Sequence, residues 1–355
     1  MTSTGRDDAL DEQRAIDVRL LGPVTVSVTG QQIALGPPKQ QLLAASLFAA
    51  PGCLVTDERL IYQIWDERPL ETVRNLLYEL ISDLRASLKA ADPRAGALVK
   101  RGNGGYIVKV APDQVDMHRF SSHLRQAQAL TGQKDFARAV EQYRTAIEQW
   151  GSVDPVQPGE PLAGLLESWA AGLRSGLKAE YHNALLGLLN AEVQLGRHIP
   201  AIPVLQRVTR LYPDDEYATG LEMLALCRAG QPNAALVSYH RLVTRLRNEY
   251  GSEPSPGIKQ LHERILRQDI DLQLPVTEQW SGAAHDRHTD SATAKGDEAQ
   301  TGTDSSTQQS VPQPTPHRVT TTDRRSGGVY ISGGQVRARD IAGRDMLSDR
   351  PRRTP

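Results

Sequence analysis

Residues 72–89 read TVRNLLYELISDLRASLK, and the spacing of their apolar side chains predicts an amphipathic helix. Two guanidinium groups, an amide, a phenol and a hydroxyl share its polar arc, and such groups bind base edges and phosphates. An ordinary surface helix would show the same pattern, so the flanking segments must decide. The apolar arc holds Val73, Leu77, Leu80, Ile81, Leu84 and Leu88; the polar arc holds Arg74, Asn75, Tyr78, Ser82 and Arg85.

The segments on either side of this helix favour a specific motif. Residues 56–65 predict a shorter helix, with Thr56 as its N-cap and acidic residues in its first turn. Downstream, residues 97–101 and 106–110 predict a β-hairpin around the Gly-rich tip at 102–105. Helix, loop, longer helix and hairpin is the order of a winged helix-turn-helix, in which the long helix enters a major groove.

Basic and polar side chains around this motif are candidates for contacts with the DNA backbone. Lys100 and Arg101 lie at the base of the hairpin and Asn103 at its tip, where a wing touches phosphates. Lys39 opens a predicted helix at 39–49 and can reach a phosphate from that end. Strands are predicted in front of these helices at 17–21, 24–28 and 31–35, after a disordered leader at 1–15, so the winged-helix domain spans 16–113.

From Val115 to residue 270 the sequence predicts helical hairpins of tetratricopeptide type. Because one hairpin cannot bury its own apolar face, stacking supplies the core and leaves a surface for another protein or a ligand. Packing on the DNA-binding domain or on a second copy is the alternative. Proline-rich residues 151–164 predict a surface loop, with a lid over the groove as the alternative. The predicted helices are 116–130, 135–150, 177–195, 199–211, 216–229, 233–250 and 255–267.

The composition excludes several classes of protein. The net charge is −1, and no stretch is apolar for long enough to span a bilayer, so we expect no membrane contact. A polar N-terminus without a signal peptide, and two distant cysteines expected to be buried thiols, predict a cytoplasmic protein. Glycine-rich phosphate loops and GxSxG elbows are absent from the sequence, and the histidines are scattered. We therefore expect no enzyme activity, no cofactor and no metal site.

The composition changes sharply near the C-terminus. Residues 276–325 are rich in Thr, Ser, Gln, Asp, Gly and Pro, which predicts a disordered linker. Residues 326–346 then set β-branched side chains between glycine pairs. This pattern is similar to glycine-punctuated β-arch assembly motifs of bacterial signalling proteins. A disordered tail with a few β-branched residues is the alternative.

Two sets of segments closely resemble a known family. LLGPVTV at 20–26, GPPKQQLLAASLFAAPGCLVTDERLIYQIW at 36–65, VRNLLYELISDLRASL at 73–88 and RGNGGYIV at 101–108 resemble the OmpR-type winged helix of the Streptomyces antibiotic regulatory protein (SARP) family. GQKDFARAVEQYRTAIEQW at 132–150, EMLALCRAGQPNAALVSYHRL at 222–242 and YGSEPSPGIKQLHERIL at 250–266 resemble the bacterial transcriptional activator domain that follows it in that family.

The resemblance implies a transcription activator that binds direct repeats of double-stranded DNA, with protomers side by side as a dimer on DNA. The helical repeats would contact RNA polymerase or another protein. Family members usually carry basic residues where this chain has Asp83 and Ala86, and Glu79 also lies on the polar arc. Because phosphate neutralisation supplies much of non-specific affinity, we expect weaker DNA binding than in a more basic relative.

The fold class expected from these observations is mainly α. It comprises an N-terminal winged helix-turn-helix of α+β type, an all-α tetratricopeptide-like repeat domain and a disordered C-terminal tail. The expected function is sequence-specific regulation of transcription. The rival interpretation is a signalling or assembly scaffold whose DNA-binding domain has weakened and whose C-terminal motif drives self-assembly.

Overall fold

The computed structural model describes residues 16–66, 72–269 and 272, and its first element is a small antiparallel sheet. Val18, Val26 and Val28 are fully buried because alternate residues of each strand face the core. Thr29 and Gly30 both have positive φ, at 50° and 80°, which gives the tight hairpin turn that the sequence predicts. The strands are β1 (Ile16–Arg19), β2 (Thr25–Val28) and β3 (Gln31–Gln32), paired in that order.

Three helices follow and pack around the same core. The first is almost wholly buried, and its Gln40 side chain donates to the carbonyl of Leu80 at 3.0 Å. The second begins after Thr56, whose hydroxyl accepts from the amide of Arg59 at 3.2 Å, and the predicted N-cap is confirmed. The third confirms the helix predicted at 72–89. The bounds are α1 (Pro38–Phe48), α2 (Asp57–Trp65) and α3 (Thr72–Ala91).

A second three-stranded sheet forms the wing and includes a strand that sequence reasoning missed. β4 (Leu54–Thr56), β5 (Val99–Gly102) and β6 (Gly105–Val108) pair in the order β4-β6-β5, so the predicted hairpin gains a third strand. A Cβ on Gly105 would lie 2.2 Å from the carbonyl oxygen of Val55. Only glycine therefore lets β6 approach β4 this closely.

The remaining helices form stacked hairpins, which confirms the tetratricopeptide-like prediction. Gly196 and Gly230 have φ of 81° and 73° and make the tight turns after the third and fifth helices of this region. In the first hairpin Lys134, with φ of 61°, takes this conformation. The bounds are α4 (Asp116–Gly132), α5 (Phe136–Glu148), α6 (Ser168–Gln194), α7 (His198–Leu211), α8 (Glu216–Arg228), α9 (Pro232–Arg245) and α10 (Pro256–Leu266), with short 3₁₀ turns at Ala95–Leu98 and Pro112–Gln114 and a π turn at Leu246–Tyr250.

The connection between α5 and α6 differs from its prediction in two ways. Helix α6 starts at Ser168, nine residues before the expected start at 177. The preceding segment is not a surface loop throughout, because Leu162 and Leu165 are buried in the core of the winged-helix domain. The Leu162 amide also donates to the carbonyl of Leu20 at 3.0 Å. The repeat domain thus supplies part of the core of the winged-helix domain.

A buried carboxylate joins the two domains at the start of α4. The side chain of Asp116 accepts hydrogen bonds from the amides of Leu20 at 2.8 Å, Leu21 at 3.1 Å and Met117 at 2.7 Å, and the residue is 1% exposed. Burial raises the pKa of Asp116, and the three amides oppose that rise. The segment that follows β1 is therefore hydrogen-bonded directly to the first repeat helix.

Several predictions concern residues outside the described ranges. They are the leader at 1–15, the linker at 276–325 and the assembly motif at 326–346. Within the described ranges, no helix combines the length and hydropathy needed to cross a bilayer. Both cysteines are free thiols, but Cys53 is exposed and Cys227 half-buried, so the expectation that both are buried is wrong. Cys53 lies in the open turn between α1 and β4, where its apolar sequence neighbours do not cover it.

Candidate nucleic-acid interface

Helix α3 presents a polar ridge to solvent and buries the opposite face. Leu77, Ile81, Leu84 and Leu88 on its underside are at most 1% exposed and belong to the main core of the winged-helix domain. This packing orients the helix, because four large apolar side chains leave core contact if it rotates. On the outward side, Arg74, Asn75, Tyr78 and Ser82 are all exposed, as the polar arc predicts.

Arg85, the fifth member of the predicted arc, lies in a different environment. Its side chain is half-buried, and Nε donates to the carbonyl oxygen of Val99 at 3.0 Å. Its guanidinium also lies 5.7 Å from the centre of the Tyr106 ring. Arg85 therefore links α3 to the base of the hairpin, at a distance from the exposed part of the ridge.

Arg101 links the wing to helices α2 and α3. Its guanidinium makes two hydrogen bonds of 2.7 Å to the Asp57 carboxylate, the parallel geometry of a strong charge-assisted pair. It also lies 4.6 Å from the ring of Tyr106 and 5.6 Å from the ring of Tyr78. The bonds to Asp57 raise the pKa of Arg101 further above its usual value. The guanidinium that the sequence predicts to bind a phosphate is therefore already bonded to Asp57.

The other residues that the sequence predicts to contact the DNA backbone are exposed. Lys100 lies on β5 and Asn103 at the hairpin tip, and neither side chain is buried. Lys39 is exposed at the start of α1, with its ammonium 5.1 Å from the ring centre of Trp65. Arg74 lies 3.5 Å from Glu58, but both side chains are more than half exposed, so this ion pair contributes little and can open for a phosphate.

Asp57 and Tyr106 are residues of this site that sequence reasoning missed. Asp57 is the first residue of α2 and reads from sequence as a helix N-terminal acid, yet it is 7% exposed and binds Arg101. Tyr106 reads as a core strand residue, yet its ring lies beside both Arg85 and Arg101. No local pattern signals either role, because the partners meet only when the hairpin folds onto the helices.

Comparison with known proteins matches this geometry to a family. Residues 115–266 match the model of the bacterial transcriptional activator domain. The transcriptional regulator RedD of Streptomyces coelicolor is 30% identical over 262 residues, which are 73% of this chain and 73% of RedD. The chain belongs to the SARP family of transcriptional regulators. This SARP is thus a regulator of transcription, and the family is not enzymatic.

Two further matches cover a smaller share of the related chain than the match to RedD does. The regulatory protein AfsR of S. coelicolor is 31% identical over 260 residues, which are 73% of this chain but only 25% of AfsR. The solved structure of Mycobacterium tuberculosis EmbR in complex with a low-affinity phosphopeptide has a TM-score of 0.66 at 26% identity. That match covers 72% of this SARP and 65% of the EmbR chain, and it supports the mainly helical fold with a small N-terminal β region.

Acidic residues offset most of the positive charge on α3 of this SARP. Glu79, Asp83 and Ala86 are exposed beside the candidate contacts, and α3 has three basic residues against two acidic ones among its described positions. No ion pair involves Glu79 or Asp83 within the described part of the chain, so both carboxylates face solvent uncompensated. In the same ranges, no three His, Cys, Asp or Glu side chains gather as a metal site would require.

Proposed function

We propose that this SARP binds double-stranded DNA with α3 in the major groove and the β5–β6 wing on the flanking backbone. The observation that carries the proposal is the exposed row of Arg74, Asn75, Tyr78 and Ser82, held outward by a fully buried apolar underside. An arginine and an amide on one helix face suit guanine and adenine edges respectively. Such a regulator acts where the chromosome is, in the cytoplasm.

The contacts differ in role. Arg74 and Asn75 would bind base edges, with Tyr78 and Ser82 beside them, while Lys39, Lys100 and Asn103 would bind phosphates. Arg85 and Arg101 act mainly by positioning, since their polar groups already bind Val99 and Asp57. Activation would follow from a contact between the helical repeats and RNA polymerase or another protein, with protomers side by side as a dimer on directly repeated sites.

The test uses DNA duplexes selected from a random library with the purified full-length protein. In electrophoretic-shift assays, Arg74→Ala or Asn75→Ala should each weaken binding about tenfold, because one bidentate base contact is worth roughly 1–3 kcal/mol. Lys100→Ala should weaken binding to all sequences and lower the slope of log affinity against log salt by about 0.9. Arg138→Ala, an exposed arginine of α5, is the matched control and should change nothing.

A folded protein whose affinity survives both Arg74→Ala and Asn75→Ala does not use this ridge. Failure to select any duplex, with assembly in the absence of DNA, would favour the scaffold function instead. The observation behind that second candidate is that Arg74, Arg85 and Arg101 all bind groups of the protein itself, namely Glu58, the Val99 carbonyl and Asp57.

A further inference from the structure

The second and third helical hairpins repeat with the 34-residue period of tetratricopeptide units. Helices α7 and α9 are the second helices of these hairpins and bury the same positions. Leu205 and Val208 of α7 are fully buried, and Tyr239 and Leu242 of α9 are at most 9% exposed. The two helices therefore share one register. Equivalent pairs in it are Gly196 and Gly230, Ala201 and Ala235, Leu205 and Tyr239, Arg207 and Arg241, and Val208 and Leu242.

The chain itself fills the groove that lies beside α7 and over α6. A turn that follows α5 lies there: the amide of Gln157 donates to the carbonyl of Asp154 at 3.2 Å, and the Asp154 carboxylate is bonded to the Arg207 guanidinium. The phenol of Tyr181 on α6 donates to the carbonyl of Pro155 at 2.9 Å. Val156, two residues after the acid, is 3% exposed and belongs to the apolar cluster of α6 and α7. In this groove an arginine of α7 thus binds a carboxylate, and the branched side chain two residues later is buried.

The next groove along the repeat, between α7 and α9 over α8, is an open cavity of about 550 Å³. Its apolar lining comes from Leu226, Ala234 and Val237, and Val237 is 57% exposed at its edge. Arg241, the equivalent of Arg207, lines it from α9, and Arg210 lines it from α7. Across the described ranges, neither arginine is paired with a carboxylate, and Arg210 Nε bonds only the carbonyl of Gln206 on its own helix.

A buried acid at the base of this cavity limits what can enter. Glu222 is 2% exposed, and its two oxygens accept hydrogen bonds from the hydroxyls of Thr209 at 2.7 Å and Ser238 at 2.8 Å. A second carboxylate is repelled from the base, whereas Arg210 and Arg241 are both exposed and attract it. A ligand therefore places its anionic group on the arginines and its apolar group against Leu226.

We propose that this cavity binds a peptide turn of a partner protein, in which a carboxylate precedes a branched apolar side chain by two residues. The chain's own segment at 152–157 is the intramolecular template for this peptide. The carboxylate binds Arg241 and Arg210, and the apolar side chain packs against Leu226 and Val237. The proposal rests on the protein-contact part of the proposed function and names its site, on a surface separate from α3 and the wing.

The test titrates the full-length protein into a fluorescent peptide with the sequence of residues 151–159, GSVDPVQPG. Fluorescence anisotropy should show saturable binding, about tenfold weaker for the peptide with Asn in place of Asp. Arg241→Gln should weaken binding about tenfold by removing one charge-assisted contact. Val237→Asp should weaken it at least as much by adding a like charge at the cavity edge. Arg138→Gln, outside the cavity, should leave it unchanged.

Two results would overturn the proposal. The first is no saturable binding at peptide concentrations up to about 1 mM. The second is binding that Arg207→Gln abolishes and Arg241→Gln does not, which would mean that the peptide only replaces the chain's own segment. Circular dichroism verifies the fold of each variant. A DNA shift assay on the same samples separates the two proposals, since Arg241→Gln should weaken peptide binding and leave DNA binding unchanged.

Discussion

The pair formed by Asp57 and Arg101 should hold the wing in place, and a double-mutant cycle can measure how strongly. The variants are Asp57→Ala, Arg101→Ala and the double variant. Asp57 has only 11% of its side chain exposed, so without Arg101 its carboxylate loses two hydrogen bonds in a mostly dry site. Hydrogen bonds to charged groups contribute about 1.5–3 kcal/mol. Because 42% of the Arg101 side chain is exposed, screening reduces the total, and we expect a coupling free energy of about 2 kcal/mol.

Urea unfolding of the full-length variants gives this coupling free energy as the non-additive part of the three changes. The matched control is the cycle on Arg74 and Glu58, an exposed pair of the same type 3.5 Å apart, where we expect no more than about 0.5 kcal/mol. Equal couplings in the two cycles would refute the argument that burial and bidentate geometry make the first pair strong.

DNA binding gives a second measure of the same pair. If Arg101 positions the wing, Arg101→Ala weakens binding while leaving the salt slope almost unchanged, and Asp57→Ala weakens it as well. If Arg101 instead contacts a phosphate, its removal lowers the slope by about 0.9, as expected for Lys100→Ala. A slope change for Arg101→Ala together with unaltered binding by Asp57→Ala would contradict the positioning role.

Three more predictions concern the architecture. Asp116→Ala leaves buried amides without acceptors and should lower the free energy of unfolding by about 3 kcal/mol in urea titrations; a loss under about 1 kcal/mol would contradict the domain junction. Gly105→Ala places a methyl group 2.2 Å from the Val55 carbonyl and should cost more than about 2 kcal/mol, whereas Gly172→Ala on α6, with open space around it, should not. Arg207 holds the pKa of Asp154 below its usual value, so the stability advantage of the wild type over Asp154→Asn should be present above pH about 4 and disappear as pH falls further; an advantage independent of pH would exclude this ion pair as its source.

Local periodicity was sufficient to predict the hairpin and the presence of the helices, but not every helix start. Helix α3 and the N-cap at Thr56 are where the sequence predicts them, because apolar spacing and capping depend on residues within one or two turns. Strand β4 was missed because three residues carry no measurable alternation and form a strand only by pairing with β6. The start of α6 was missed because its first turns have a weak apolar pattern.

The burial of the connector between α5 and α6 was likewise not predictable from local sequence. Its prolines predict a loop, and its backbone is irregular, yet Val156 and Leu162 are buried in two different apolar clusters. Burial of an irregular segment depends on partners elsewhere in the chain that offer it hydrogen bonds, here Tyr181 and Arg174. Sequence spacing contains no record of those partners.

By itself, the sequence of this SARP determined which segments are helices, which faces are apolar and which polar groups share the outward arc of α3, since each of these depends on neighbours a few residues away. Only the tertiary structure decided which cations of the winged-helix domain remain exposed. Arg101 meets a carboxylate 44 residues away, Asp154 a guanidinium 53 residues away, and Asp116 an amide 96 residues away. Whether a charge faces solvent or a partner is settled by such distant contacts, which form when the chain folds.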